Sequence, residues 1–468
     1  MPPWIATVIY VLGILGIFLL DRDRKSRVSS ALWLPVAWLS LGASRSVGEW
    51  LGVGLVVQSP EQYLEGSPLD QLIFTGLLAA GVMVLFGRAE RAGTLLRANG
   101  PLLVFFLYCA VSVLWSDYPF VAFKRWNKAL GNLVMVLVVL SDPDPLAAVK
   151  RLFARTSFLL IPLSILLIKY YPELGRGFSF WTGEAWNNGV ATSKNGLGIV
   201  CFVFGLGSLW RFLVALERGE RPRMAGPLTA HGTVVAMALW LLWMADSAAA
   251  LGCFLVGSAL IALTSRRVFG LRLAGVHVLA VGIVSLCVFG LFVDPDVGLV
   301  QTMGRDPTLT NRTQLWEDLL RMPVNPLFGV GFESFWLGER LESIWEKHWD
   351  RPIQAHNGYL EVYLNSGWLG LGLLGVTIAW GYRNVVSALR RDPELGRLRL
   401  ALFMAAVLYN LTEAAFKVMS PVWIAFLLAV TVLPSRRAWI TVAVPSASPW
   451  TPMASLGSPS SGGKLIEP

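Results

Sequence analysis

The stretch QAHNGYLEVYLNSGWLGLGLLG, residues 354–375, places a His-Asn pair at the mouth of a long apolar run. Such a run can cross the ~30 Å hydrocarbon layer of a bilayer as a helix. His356 then stands as a titratable imidazole at the point where water meets lipid. The rest of the chain points the same way. Of its 468 residues 55% are hydrophobic and only 15% charged, with mean hydropathy +0.58, well beyond what one soluble core needs. The chain reads as an all-α polytopic membrane protein.

Apolar windows of spanning length occur near 4–20, 31–57, 69–86, 101–115, 121–140 and 156–171. They continue at 196–214, 228–245, 248–264, 273–293, 358–381, 398–415 and 420–433. The expectation is a bundle of about twelve to thirteen helices. Arg45 and Glu49 interrupt the window 31–57, and 248–264 is short enough to form a tight hairpin with its predecessor. The first run lacks a basic n-region and is followed by DRDRKSR, so it reads as a retained helix and not a cleaved signal.

Short loops rich in Lys and Arg stay in the cytoplasm. They fall at 21–30, 87–99, 141–155, 215–227, 265–272, 382–397 and after 434. The loops between them are poor in Lys and Arg or acidic, as in QSPEQYLEGSPLD, and belong outside. The division that follows is N-terminal helices over 1–293, a large external loop over 294–357, C-terminal helices over 358–433, and a cytoplasmic tail over 434–468. The tail is too rich in Ser, Pro and Gly to bury a core and reads as disordered. Much of the net charge of +9 is thus a topological signal, which leaves nucleic-acid binding without support. Cys109, Cys201, Cys253 and Cys287 all sit in apolar runs and suggest neither disulfides nor a metal site.

A loop as long as 294–357 is usually functional, and this one has helical pieces. TNRTQLWEDLLRMP offers Asn311 as N-cap with Gln314 three residues on and Pro323 as a stop. FESFWLGERLESIWEKHW aligns Leu337, Leu341, Ile344, Trp345 and His348 on one helical face. Such amphipathic pieces can lie on the outer leaflet, and NPLFGVGF between them supplies the turn residues that bring them back over the bundle.

Arg312 is a cation in the first turn of a helix and opposes the macrodipole. Its guanidinium beside free N–H groups suits a diphosphate; the plainer reading pairs it with Asp306, Glu317 or Asp318. In WSDYPFVAFKRWNKALGN the cations Lys124, Arg125 and Lys128 break the positive-inside pattern at the start of a span. They face either an anionic partner or lipid phosphates by snorkelling. Lys194 in GVATSKNGLG poses the same pair of readings. His356 shares their side of the membrane, and a neutral imidazole there can take a proton from a hydroxyl. Asn357 caps the following helix, so the plainer reading of the pair is a cap with a surface histidine. His231 and His277 read as structural.

LTNRTQLWEDLL, NPLFGVGFESF and AHNGYLEVYLNSGWLGLGLL, in that order, resemble the signature of the O-antigen ligase and polysaccharide polymerase superfamily. WSDYP with its basic cluster and SKNGLG resemble the exopolysaccharide-polymerase branch, so that the resemblance runs over roughly residues 30–433. It implies a C-type glycosyltransferase fold that needs no metal or cofactor. The substrate it implies is an undecaprenyl-diphosphate-linked oligosaccharide at the periplasmic face of the bacterial inner membrane, with a polysaccharide or lipid-linked acceptor. Membrane lipids, a flippase and a chain-length regulator are the implied partners. On that reading Arg312 with Arg125 or Lys194, and Lys124 and Lys128 beside them, hold the diphosphate. His356 activates or orients the acceptor, Glu333 is a reserve base, and attack opposite the leaving group inverts the anomeric centre. Polymerase and ligase differ only in the acceptor. A transporter of lipid-linked glycans is the reading from another class, with Asp246 and Glu413 as its available acids.

Overall fold

The computed structural model describes residues 1–21, 28–52, 67–178, 183, 185–217, 225–265, 273–289 and 312–433. The tail 434–468, residues 294–311 with Asn311, and most of the basic stretches 21–30, 215–227 and 265–272 lie outside the described residues. In chain order the helices are α1 (Pro3–Leu20), α2 (Trp33–Gly42), α3 (Val47–Trp50), α4 (Pro68–Phe86), α5 (Ala89–Ala98) and α6 (Gly100–Val111). Next come α7 (Pro119–Leu140), α8 (Pro145–Tyr170), α9 (Pro172–Gly175), α10 (Lys194–Glu217), α11 (Ala225–Ala245), α12 (Ala248–Leu263) and α13 (Leu273–Val288). The series closes with α14 (Arg312–Arg321), α15 (Gly338–Lys347), α16 (Gly358–Arg391), α17 (Pro393–Tyr409) and α18 (Pro421–Val430). A short hairpin, β1 (Arg176–Phe178) against β2 (Ala185–Asn187), pairs antiparallel between α9 and α10.

Every apolar window of the sequence carries a helix. Among the described residues six helices are long and apolar enough to cross a membrane, or seven if the bent pair α5 and α6 makes one span. Four further apolar helices are shorter, and α7 carries Lys124, Arg125 and Lys128 near its start. This is a multi-pass membrane protein. In α1 the most apolar window has mean hydropathy 2.3 yet is only 6% buried, the exposed apolar surface of a membrane helix. By contrast α17 is buried along nearly its whole length. Its Arg399 donates from Nε to the Ala429 carbonyl at 2.7 Å and from Nη2 to the Thr431 carbonyl, which satisfies acceptors at the end of α18.

Two windows differ from their sequence reading. The window 31–57 is no single span: α2 stops at Gly42, and Ser46 with Glu49 forms a capping box that starts α3. Arg45 between them donates to the Leu174 and Gly189 carbonyls. The window 248–264 forms α12, which packs chiefly on α17 and α10 and not in a hairpin against α11.

The run 358–381 is also not one straight helix. Gly367 sits at φ 62, ψ −169 and breaks α16. The NPLFGVGF turn docks into that break: Trp368 and Leu369 donate to the Pro326 and Leu327 carbonyls at 2.8 and 3.1 Å. Val330 and Gly331 in turn donate to the Leu364 and Asn365 carbonyls at 3.2 and 2.9 Å. Asn365 Oδ1 accepts from the Ser334 and Phe335 N–H groups at 2.8 and 3.0 Å. Backbone groups freed by a helix break inside an apolar bundle must find protein partners, and this turn supplies them.

The amphipathic helices α14 and α15 do not offer their apolar faces to lipid. Leu315, Leu319, Leu341 and Ile344 are buried together with Val330, Phe335, Trp336, Ala355 and Leu364. Chain direction sets the ends of the bundle. Arg88 with Asp142 (3.6 Å), Arg397 with Glu217 (2.8 Å) and Arg211 with Asp21 (3.1 Å) lie at one end. The starts of α7, α10, α14 and α16 and the end of α17 lie at the other.

Candidate functional site

At that second end three segments converge on one carboxylate, Glu413, in the loop NLTEAAFKVMS between α17 and α18. The loop is shaped by Asn410, whose Oδ1 accepts from the Ala415 and Phe416 N–H groups at 2.8 and 2.7 Å. The Asn410 carbonyl accepts from Gly358 N at 2.8 Å. Gly358 has to be glycine there, because a Cβ would overlap the Asn410 side chain. Asn357 caps α16, accepting from Tyr359 N and Leu360 N at 3.0 Å each, and donates to the Leu411 carbonyl at 3.2 Å. The His-Asn-Gly triplet is thereby locked onto the Glu413 loop.

Arg312 reaches Glu413 Oε1 with Nη2 at 2.7 Å and donates from Nη1 to the Thr412 carbonyl. The cation that opposes the α14 dipole is thus offset by a buried carboxylate, and not by the neighbouring acids Glu317 and Asp318. Asp306 lies outside the described residues. Asn195, in the first turn of α10, donates from Nδ2 to the same Oε1 at 3.0 Å and accepts from Ser247 Oγ at 3.1 Å. His356 sets its Nδ1 3.1 Å from the other oxygen, Oε2. The Glu413 side chain is 6% exposed and that of His356 28%.

Burial alone pushes the Glu413 carboxyl up. The hydrogen bond from His356, the charges of Arg312 and His356 and the hydrogen bond from Arg312 more than offset it and hold the carboxyl below its ordinary value. An ionised carboxylate only accepts, so the hydrogen of this contact belongs to Nδ1 of His356. Gln354 Nε2, 3.4 Å from the same atom, cannot donate to a nitrogen that already carries hydrogen. With that hydrogen on Nδ1, Nε2 is the nitrogen that carries the lone pair when the ring is neutral. A carboxylate that fixes the tautomer of a histidine and stabilises its cation is the arrangement of a general base.

The other cations named by the sequence are placed apart from this node. Lys194 Nζ lies 3.7 Å from Asp246 Oδ2, both well exposed. Arg125 donates to the Glu333 carbonyl, and Glu333 Oε1 accepts from Val418 N at 3.3 Å. Lys124 sits over the Phe120 ring at 4.8 Å and Lys128 over the Phe74 ring at 5.3 Å. Both His356 (φ 50) and Glu333 (φ 51) hold left-handed backbone, a conformation that persists in a non-glycine residue only where its surroundings impose it.

Sequence reasoning missed Asn195 and gave Glu413 no part in the site. The signal for Glu413 was a lone acid between two strongly apolar runs, which an unpaired Arg312 and an imidazole would both require as counter-charge. A family model described as O-antigen ligase matches residues 232–375, a range that includes Arg312, Glu333 and His356 and stops short of Glu413. Over 370 residues, 73% of this chain and 79% of the relative, the sequence is 27% identical to the exopolysaccharide production protein ExoQ of Rhizobium meliloti (strain 1021).

Proposed function

We propose that the chain, which resembles O-antigen ligases over residues 232–375 and an exopolysaccharide production protein over 73% of its length, polymerises undecaprenyl-diphosphate-linked repeat units of an exopolysaccharide or O-antigen at the periplasmic face of the inner membrane. The observation that carries the reading is one buried carboxylate, Glu413, held by Arg312 on one oxygen and by His356 on the other.

The chemistry follows from those groups. The acceptor hydroxyl gives its proton to His356 Nε2 as its oxygen bonds to the anomeric carbon. Glu413 stabilises the imidazolium that results. The bond from that carbon to the diphosphate oxygen breaks on the opposite face, which inverts the centre. Charge developing on the departing diphosphate meets the guanidinium of Arg312, which leaves with no proton. Lys194 is the better second cation of the two candidates, because its neighbour Asn195 already bonds Glu413 and its own pairing with Asp246 is long and exposed. Arg125 acts through the backbone of Glu333. The likeness to a protein of exopolysaccharide production supports an exopolysaccharide as the product.

The test is the length of extracellular polysaccharide in a deletion strain complemented with wild type, His356→Ala or Arg312→Ala, at matched membrane levels. Long chains with wild type and single units on the lipid carrier with either variant support the polymerase. Long chains that stay on the carrier instead indicate a ligase. Full activity in both variants overturns the mechanism.

A further inference from the structure

Beside the Glu413 node lies a cleft that opens to solvent. It lies between α6, α7, α16, α18 and the loop that carries Glu413. Phe106, Phe416 and Trp423 supply aromatic wall, with Phe106 and Trp423 stacked at 6.3 Å and Phe416 edge-on to Trp423 at 5.5 Å. Against those rings stand two carboxylates, Glu333 and Glu361, and one cation, Lys417. Glu361 is 2% exposed. Its oxygens accept from Trp336 Nε1 at 2.6 Å and from Ala355 N at 2.9 Å, so it is fixed in place with a lone pair to spare on each oxygen.

We propose that this cleft holds a neutral pyranose unit of the glycan. The proposal rests on the polymerase reading for the source of that sugar, and on the cleft alone for its chemistry. A lipid tail would suit the rings and would set hydrocarbon against the lone pairs that the Glu361 and Glu333 carboxyl groups have left over, a costly arrangement. A diphosphate or an acidic sugar would bring negative charge against two carboxyl groups, Glu333 and Glu361. A neutral sugar satisfies both halves: its hydroxyls donate to carboxylates while its C–H face lies on aromatic rings.

The cleft is tied to the base. Ala355, whose N–H bonds Glu361, is the residue before His356, and Lys417 follows Glu413 in the same loop. A sugar in the cleft is either the end of the acceptor chain, with its hydroxyl delivered to His356, or the first sugar of the donor.

The experiment is saturation-transfer NMR on the full-length protein in lipid nanodiscs, with methyl glucopyranoside and its uronate as probes. Wild type is expected to bind the neutral glycoside, the uronate at least about tenfold more weakly, and Glu333→Gln and Trp423→Leu to weaken glycoside binding by a similar factor. His356→Asn is expected to bind it normally, so the outcome for the cleft does not hang on the outcome for the base. Steady-state transfer by Glu333→Gln then names the source: a raised KM for acceptor alone, or for donor alone. Absence of glycoside binding, equal binding of the uronate, binding unchanged in both cleft variants, or displacement of the glycoside by undecaprenyl monophosphate would each overturn the proposal.

Discussion

Arg312 and Glu413 stand 101 positions apart in the chain and meet at 2.7 Å, in a pair from which water is nearly excluded. Because His356 occupies the second oxygen, neutralising Glu413 unbalances two groups at once. Removing one partner of a buried ion pair costs about 3–5 kcal/mol, so Glu413→Gln should lower the apparent Tm of the purified protein. Its transfer rate should fall roughly 10²–10⁴-fold, the usual worth of a positioned acid–base group. The double variant Arg312→Met/Glu413→Leu should regain much of the thermal stability and none of the activity. A Gln variant that keeps both wild-type rate and wild-type Tm would sink the node as a functional unit.

His356 is held at φ 50, where a side chain costs about 1 kcal/mol and glycine costs little. His356→Gly should therefore melt above His356→Ala, while both lose transfer about 10²–10⁴-fold. Thermal scanning and a transfer assay on the two variants side by side decide this; an Ala variant melting above the Gly variant would show that the backbone there is not strained.

What the sequence made legible, and what it did not, follows from the range of each signal. Apolar runs and caps are local, so helices appeared at every expected window and Asn357 was readable as the cap of α16. The break at Gly367 was not, because the hydropathy of 358–381 is continuous through it and the turn that fills it, at 325–331, comes from elsewhere in the chain. Periodicity marked the apolar faces of α14 and α15 yet could not say that they would bury against Phe335, Trp336 and Leu364 instead of lipid. The conspicuous cations were legible as residues and illegible as a constellation. Arg312 and His356 meet only through Glu413, a partner with no periodic or motif signature, and Lys194 was noticed where its neighbour Asn195 makes the contact.

The depressed carboxyl of Glu413 has a stated sign. A group whose folded pKa lies below its ordinary value of 4.5 stabilises the fold fully above that value, and the contribution is lost as pH falls through it toward the folded pKa. The apparent Tm of wild type should therefore drop on acidification below about pH 4.5, and Glu413→Gln should drop by less over the same interval. Parallel curves for the two proteins would mean that the carboxylate is not held ionised by His356 and Arg312.

Gly367 and Gly329 face each other across the docked turn, at φ 62 and φ 70. A Cβ on Gly367 would overlap the Leu327 carbonyl, and one on Gly329 would overlap the Asn365–Ser366 peptide. Backbone cannot yield as a flexible side chain does, so either alanine must push the turn out of the break and free the backbone groups it satisfies. The cost combines overpacking, about 1–3 kcal/mol, with a left-handed alanine at about 1–2 kcal/mol. Because the turn joins α14, where Arg312 begins, to Glu333, transfer should fall together with stability. Gly372→Ala is the control, since a Cβ on this glycine of the same helix meets nothing within 4 Å and should leave both properties near wild type. Equal melting of Gly367→Ala and Gly372→Ala would show that the turn does not depend on that close approach, and with it would go the account of how the loop seats Arg312 over the bundle.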